Sequence, residues 1–168
     1  MASATLFAIF LLSALTFYPP STTAQPVTDA NGNIVTNGGR FFILPRYFGT
    51  GGGIERARTG DEKSPLSVVQ SPFETDLGQP WIIRSMFRSG FLPEGRVSIS
   101  YEYVQLGFFT IHRVSSANSY KFQFCSTDGK PCGNVGIVKD EAGNRLLAIN
   151  QETPFEFVLT ELPSAVSK

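Results

Sequence analysis

The sequence predicts an all-β fold, a barrel or a sandwich, and three observations indicate it. Apolar and polar residues alternate with the two-residue period of a half-buried strand in several stretches, namely RVSISYEYV at 96–104, YKFQFC at 120–125 and PFEFVL at 154–159. Turn signals separate the apolar stretches, namely NGG at 37–39, GTGGG at 49–53, LPEG at 92–95, TDGKP at 127–131 and EAGN at 141–144. Beyond the first 24 residues, no window of helical length shows an apolar stripe. We expect about ten short strands and no β-α-β units.

A short internal echo suggests structural repetition. The segment DANGN at 29–33 is matched by DEAGN at 140–144, and an apolar strand start follows each of them. Repeats of one supersecondary unit produce such echoes, although turn chemistry alone also suffices.

The first 24 residues predict a cleaved secretory signal peptide. They contain no acidic or basic side chain, run apolar from Leu6 to Tyr18, and end with Thr22 and Ala24 at the spacing of a signal-peptidase site. The apolar run is shorter than the roughly 20 residues that a spanning helix needs, which disfavours the alternative of a membrane anchor. We predict one mature domain, residues 25–168, which follows the secretory pathway to the cell exterior or a vacuole.

The balance of charge excludes some partners. The chain has 14 basic and 14 acidic residues, so no net field attracts nucleic acid or an anionic membrane. No pattern indicates an oligomer, and a monomer is the default expectation.

The residues that usually carry catalysis are scarce. His112 is the only histidine, which excludes metal sites built from several histidines. A serine–histidine–carboxylate triad would have to recruit His112, and no nucleophile-elbow sequence is present. The glycine-rich stretch GTGGGIERA lacks the lysine of a phosphate-binding loop. We expect a structural role for His112, no enzymatic activity, no metal and no cofactor.

The two cysteines, Cys125 and Cys132, flank the turn sequence STDGKP. In a secreted chain this spacing favours a disulfide across the tip of a hairpin. A metal or redox pair is the alternative, but it would need further ligands or a two-residue spacing.

Several blocks of the sequence together resemble the plant Kunitz-type (soybean trypsin inhibitor) family of protease inhibitors. The blocks are VTDANGNIVTNGGRFFI from Val27, GGGIERARTGDEKSPLSVVQSP from Gly51, YKFQFCSTDGKPCGNVGI from Tyr120 and NRLLAINQETPFEFVL from Asn144. The resemblance covers nearly all of residues 27–168. It implies a β-trefoil fold and the binding of a serine protease by a substrate-like loop.

Two departures from the family pattern are consistent with each other. Ser64 stands where a cysteine normally precedes Pro65, and the segment that would carry its disulfide partner is absent. The missing segment amounts to two or three strands at the usual length of about 5–6 residues. We expect either a barrel with a shortened middle repeat or a defective product.

The resemblance also assigns the protease-binding loop. Arg88, within SMFRSGF, falls on the residue that enters the specificity pocket, with Phe87 before it and Ser89 and Gly90 after it. An arginine there matches the aspartate at the base of a trypsin-like pocket, because guanidinium and carboxylate form forked hydrogen bonds. On spacing alone Arg88 is one more exposed arginine, and Arg84 and Arg96 are competing candidates.

Asn37 falls on the scaffold asparagine whose amide bridges carbonyls inside that loop. A plain turn role before Gly38-Gly39 is the alternative. Gly90 allows many backbone conformers, so we expect a loop that is less preorganised than one with a β-branched residue there.

Three functions remain open. The first is inhibition of trypsin-like serine proteases, in defence or in the control of the plant's own enzymes. The second is the same scaffold directed at another target, such as a cysteine protease, a subtilisin, an amylase or a taste receptor. The third is a seed-storage protein or an inactive remnant.

Overall fold

A computed structural model describes residues 24–162, apart from 66, 102–103, 116–117, 126–131 and 151. The predicted signal peptide lies almost wholly outside the described residues, and its cleavage stays a prediction. The described residues contain ten β-strands, and none of them forms a helix that is long and apolar enough to cross a membrane. The strands are β1 (Arg40–Pro45), β2 (Ile54–Ala57), β3 (Ser67–Gln70), β4 (Trp81–Ser85), β5 (Gly95–Tyr101), β6 (Val104–Ser115), β7 (Ser119–Phe124), β8 (Gly133–Lys139), β9 (Arg145–Asn150) and β10 (Phe157–Glu161).

Six of the strands close into an antiparallel barrel. They follow one another in the order β10-β1-β4-β5-β6-β7, and a pairing of Phe157 with Tyr120 joins β10 to β7. The hairpin β2–β3 lies between β1 and β4 along the chain, and the hairpin β8–β9 lies between β7 and β10. The two hairpins also pair with each other, through Val69 and Leu146. The barrel is therefore complete, and two hairpins accompany it.

The middle repeat is the short one. Only residues 102–103 separate β5 from β6, so no hairpin occupies the position that β2–β3 and β8–β9 hold in the first and last repeats. Nevertheless β6 pairs with β5 on one side and with β7 on the other, which keeps the ring closed. The structure thus contains the expected shortened middle repeat, and the alternative of a defective product stays a prediction.

The barrel core contains most of the side chains that the alternating pattern predicts, although Tyr101 and Phe124 are only half-buried. Val97 and Ile99 of β5 are buried, as are Tyr120 and Phe122 of β7. Phe155 and Phe157 are buried too, although β10 begins only at Phe157. Tyr103, which the pattern assigns to the same face as Val97, lies outside the described residues.

The two echoed segments form the same turn. The Asp29 carboxylate accepts hydrogen bonds from the backbone N–H and the side-chain amide of Asn33, at 2.8 and 3.0 Å. Asp140 accepts the same pair of bonds from Asn144, at 2.8 and 2.7 Å. Each turn contains a glycine with positive φ. The similarity between the two segments therefore corresponds to the same type of turn.

Cys125 and Cys132 form a disulfide bond, as the spacing predicts. The bridge lies between β7 and β8, which pair directly before it through Phe124 and Gly133.

Candidate functional site

An exposed loop joins β4 to β5, and Arg88 lies near its tip. The side chains of Met86 and Phe87 are 54% and 70% exposed, and Arg88 is exposed beside them. No described residue forms a hydrogen bond, an ion pair or a ring contact with the Arg88 guanidinium. The side chain is therefore available to a partner.

Asn37 lies beneath this loop and ties together three points of it. Its side-chain amide donates hydrogen bonds to the carbonyl oxygens of Phe87 and Ser89, at 3.3 and 3.1 Å. Its side-chain oxygen accepts the backbone N–H of Ser85 at 2.8 Å. The two carbonyls flank Arg88, so one side chain fixes the backbone on both sides of the Arg88-Ser89 bond.

Asn37 also lies within a tight turn, as the alternative interpretation predicts. The backbone N–H of Gly39 donates to the carbonyl of Thr36 at 3.1 Å, which closes a turn around Asn37 and Gly38. Gly38 has a φ of 80°, a conformation that glycine adopts readily. The turn and the loop contacts are compatible, because the turn aims the Asn37 side chain at the loop.

Two serine hydroxyls add local bonds that the sequence interpretation missed. The Ser85 hydroxyl accepts the backbone N–H of Phe87 at 3.1 Å, and the Ser89 hydroxyl accepts that of Phe91 at 3.3 Å. A serine hydroxyl commonly accepts the backbone N–H of the residue two positions later. The serines at the two ends of the loop were therefore the sequence signal that could have predicted these bonds. These bonds hold the two arms of the loop without covering Arg88.

The amino-terminal segment fixes the base of the loop. Leu92 is fully buried, and its backbone bonds to Val27 and Val35 at 2.8 Å each. The backbone N–H of Glu94 donates to the carbonyl of Gln25 at 2.9 Å. The loop is thus held at its tip by Asn37 and at its base by a strap of residues 25–35.

An ion pair secures the same base from the barrel side. Arg113 of β6 contacts the Glu94 carboxylate at 2.9 Å and donates to the carbonyl of Pro26 at 2.9 Å. Its guanidinium carbon also lies over the Tyr120 ring, 4.9 Å from the ring centroid. Arg113 therefore connects the strap, the loop and the barrel wall.

The two competing arginines occupy different settings. Arg84 is exposed on β4 and pairs with Ser98, and its guanidinium lies against Gly38. Arg96 lies on β5 with its guanidinium 5.4 Å from the centre of the Phe108 ring. Each belongs to a paired strand, whereas Arg88 belongs to the loop that projects between the strands.

No cluster of three or more metal-ligating side chains occurs in the part of the chain that the structure describes. His112 is half-buried on β6 and pairs with Lys121 of β7, away from the loop.

The sequence and the fold are similar to those of known protease inhibitors. The sequence pattern of the legume Kunitz family, described as trypsin and protease inhibitor, matches residues 27–104 and 91–161. The chain belongs to this family. Its barrel also superposes on the soybean trypsin inhibitor in a complex with porcine pancreatic trypsin, with a TM-score of 0.75 and 31% identity over 82% of this chain and 99% of that one. The expected β-trefoil fold is thereby confirmed.

Relatives in this Kunitz family carry different target names. The chymotrypsin inhibitor ECI of Erythrina variegata is 35% identical over 83% of this chain and 98% of its own length. The Kunitz-type trypsin inhibitor KTI1 of Glycine max is 35% identical over 92% of this chain and 94% of its own length. The family is one of inhibitors rather than enzymes, in agreement with the scarcity of catalytic residues in the sequence.

Proposed function

We propose that the protein inhibits trypsin-like serine proteases and that Arg88 is the residue that enters their specificity pocket. One observation carries the proposal: Arg88 is exposed and unpaired among the described residues, between two carbonyls that the Asn37 side chain holds. A loop that already has its bound shape loses little ordering entropy on docking. An arginine in a pocket with an aspartate at its base gains charge-assisted, forked hydrogen bonds.

The same contacts explain how such a loop resists turnover. Attack on the Arg88 carbonyl would cut the chain between Arg88 and Ser89. Asn37 would still hold Phe87 on one side of the cut and Ser89 on the other. The new ends would then stay close enough for the bond to re-form, so the protease remains occupied.

The neighbouring aromatic side chains extend the docking surface. Phe87 precedes Arg88 and is 70% exposed, and Phe91 is 39% exposed three positions after it. Exposed aromatic rings of this kind provide much of the contact energy at protein interfaces. We infer that they contact the protease beside the specificity pocket.

Titration of trypsin with purified residues 25–168 tests the proposal. We expect activity to fall linearly to an end point near one inhibitor per active site. Arg88→Glu should abolish the inhibition, because its carboxylate would face the pocket aspartate without a partner. Arg84→Glu is the matched control and should inhibit like the parent.

Other results would assign a different role. Loss of inhibition in Arg84→Glu but not in Arg88→Glu would move the specificity residue to Arg84. A parent that affects neither trypsin nor chymotrypsin would leave the scaffold with another target, such as a cysteine protease, a subtilisin or an amylase, or with a storage role. If the inhibited protease is a digestive enzyme, the inhibition would serve plant defence.

We also propose that the protein acts as a monomer in the secretory pathway, in a vacuole or outside the cell. The disulfide supports an oxidising compartment. Fractionation of the source tissue checks the location, and sedimentation equilibrium checks the monomer.

A further inference from the structure

The short middle repeat leaves one corner of the trefoil without a hairpin. The hairpins β2–β3 and β8–β9 pair with each other. The third position would follow β5, where two residues lead directly into β6. A hollow lies between the barrel wall and the two hairpins.

This hollow is an apolar cavity of about 500 Å³. Side chains of the barrel and of both hairpins line it, including Ile54, Trp81, Ile99, Phe109, Phe122 and Leu147. Sites for small molecules in proteins are typically concave, mostly apolar and on the order of 300–1,000 Å³. The size and the lining of the cavity both fall within that range.

The polar groups of the lining are already satisfied within the protein. The Ser67 hydroxyl is bonded to Thr59 and Glu62, at 2.7 and 2.8 Å. The indole N–H of Trp81 donates to the carbonyl of Ile54 at 3.0 Å. None of the described lining residues is ionisable.

We propose that this cavity binds one small neutral apolar molecule, aromatic or branched aliphatic. A charged ligand would lose its hydration without gaining a partner, and water would find few hydrogen bonds there. An apolar ligand would instead form van der Waals contacts with the apolar side chains of the lining. The cavity is concave, so a second copy of the chain would need a protruding apolar segment to fill it.

The cavity and the protease-binding loop are separate sites. Trp81 lies at one end of β4 and lines the cavity, whereas Ser85 lies at the other end and bonds to Asn37. The two residues are four positions apart along the strand, which is about 13 Å. The two lining sets share no residue, so both partners can bind at once.

The chain carries its own reporter for this cavity. Trp81 is the only tryptophan of the chain, so all tryptophan emission comes from a residue that lines the cavity. We would titrate the mature protein with 1-aminoanthracene, a neutral fluorescent aromatic compound. The fluorescence of Trp81 and that of the probe would both be measured. We expect saturable binding of one molecule per chain, with quenching of Trp81, and displacement of the probe by p-xylene.

Filling the cavity provides the decisive variant. Val68 and Leu147 line the cavity and pack against the core. Val68→Phe with Leu147→Phe should weaken probe binding by at least about tenfold. Val138→Phe is the matched control, because Val138 is 41% exposed on β8 and lies outside the lining. The control should bind the probe like the parent.

Two further measurements keep the test informative if the double variant folds poorly. Val68→Phe alone should weaken binding in the same direction, with a circular dichroism spectrum like that of the parent. Saturating p-xylene should raise the thermal midpoint of the parent more than that of the filled variant, because a ligand of the native state stabilises it. Absence of saturable binding to the parent, or equal binding to the filled and control variants, would overturn the proposal. The proposal would also be overturned by a parent protein that binds no probe and sediments as a dimer, because a second copy would then cover the cavity.

Discussion

The side-chain oxygen of Asn37 accepts the backbone N–H of Ser85 at 2.8 Å, across 48 positions of sequence. This bond ties the turn that precedes β1 to the last residue of β4, where the exposed loop begins. The two N–H groups of the same side chain are then directed at the carbonyls of Phe87 and Ser89. The shape of the loop thus depends on a residue far from it in the chain.

Asn37→Ala should convert the inhibitor into a slow substrate. The loop would lose three hydrogen bonds and would have to be ordered on binding, at about 1 kcal/mol per residue fixed. With a catalytic amount of trypsin, we expect early inhibition and then recovery as the Arg88-Ser89 bond is cut. Mass spectrometry of the intact chain over time measures the cleavage.

Asn37→Asp distinguishes the acceptor role of the Asn37 side chain from its donor role. Aspartate keeps an acceptor for the Ser85 N–H but presents oxygen to the two carbonyls. We expect cleavage at least as fast as in Asn37→Ala. If both variants are cut no faster than the parent while their melting temperatures are clearly lower, Asn37 serves only the turn.

Arg88→Leu should transfer inhibition from trypsin to chymotrypsin-like proteases. Leucine has no charge for the trypsin aspartate, whereas an apolar pocket accepts it. The Asn37 contacts involve only backbone carbonyls of the loop, so the substitution leaves them in place. Inhibition constants against both enzymes measure the change, and an unchanged ratio would argue against Arg88 as the specificity residue.

Gly90→Ala should tighten inhibition. Gly90 is not among the residues with positive φ, and a Cβ there would meet no atom within 4 Å. Alanine narrows the backbone conformations of the free chain, a change worth about 0.4–1 kcal/mol where the native backbone tolerates it. Comparison of dissociation rates from trypsin tests this, and a faster rate for the variant contradicts it.

The double replacement Cys125→Ser with Cys132→Ser should lower the free energy of unfolding by roughly 2–3 kcal/mol. The bridge lies between β7 and β8, whereas Arg88 lies in the loop between β4 and β5. Urea unfolding measures the loss, while trypsin inhibition under native conditions should be unchanged. Equal unfolding curves for parent and variant would show that the bridge adds no stability.

The carboxyl of Asp76 should make the free energy of unfolding fall at acidic pH. The backbone N–H of Gly78 and the hydroxyl of Ser71 donate to it and hold its pKa below the ordinary value of 3.8. A carboxyl whose pKa is lowered by folding stabilises the native state above its unfolded pKa and loses that effect as the pH falls through the folded one. Asp76→Asn should therefore reduce the drop in urea midpoint between neutral pH and a pH below 3.8. An equal drop in both proteins would assign the acid sensitivity elsewhere.

The strands and the core were predictable because they rest on local alternation. Val97 and Ile99 of β5 and Tyr120 and Phe122 of β7 are buried as their two-residue period indicates. The identical turns at Asp29 and Asp140 were predictable for the same reason, since the carboxylate bonds within its own turn. Local chemistry fixed both features.

Other features depend on contacts between distant segments, and alternation carries no information about them. The resemblance to a family suggested Asn37, but its bond to Ser85 and the ion pair of Arg113 with Glu94 join positions that only the closed barrel brings together. The apolar cavity was also missed. A missing segment indicates a shortened repeat, whereas the hollow depends on how β2–β3 and β8–β9 pack.

The strap of residues 25–35 gives the maturation of the amino terminus a direct bearing on activity. The predicted cleavage after Ala24 would leave Gln25 as the first residue, and the carbonyl of Gln25 already accepts the backbone N–H of Glu94. The next residue, Pro26, accepts a bond from Arg113. Trimming by even two residues would remove both anchors from the base of the loop. An expression tag left at this end would start beside the proposed protease-docking face, so recombinant protein should begin at Gln25 and carry any tag at its carboxyl terminus.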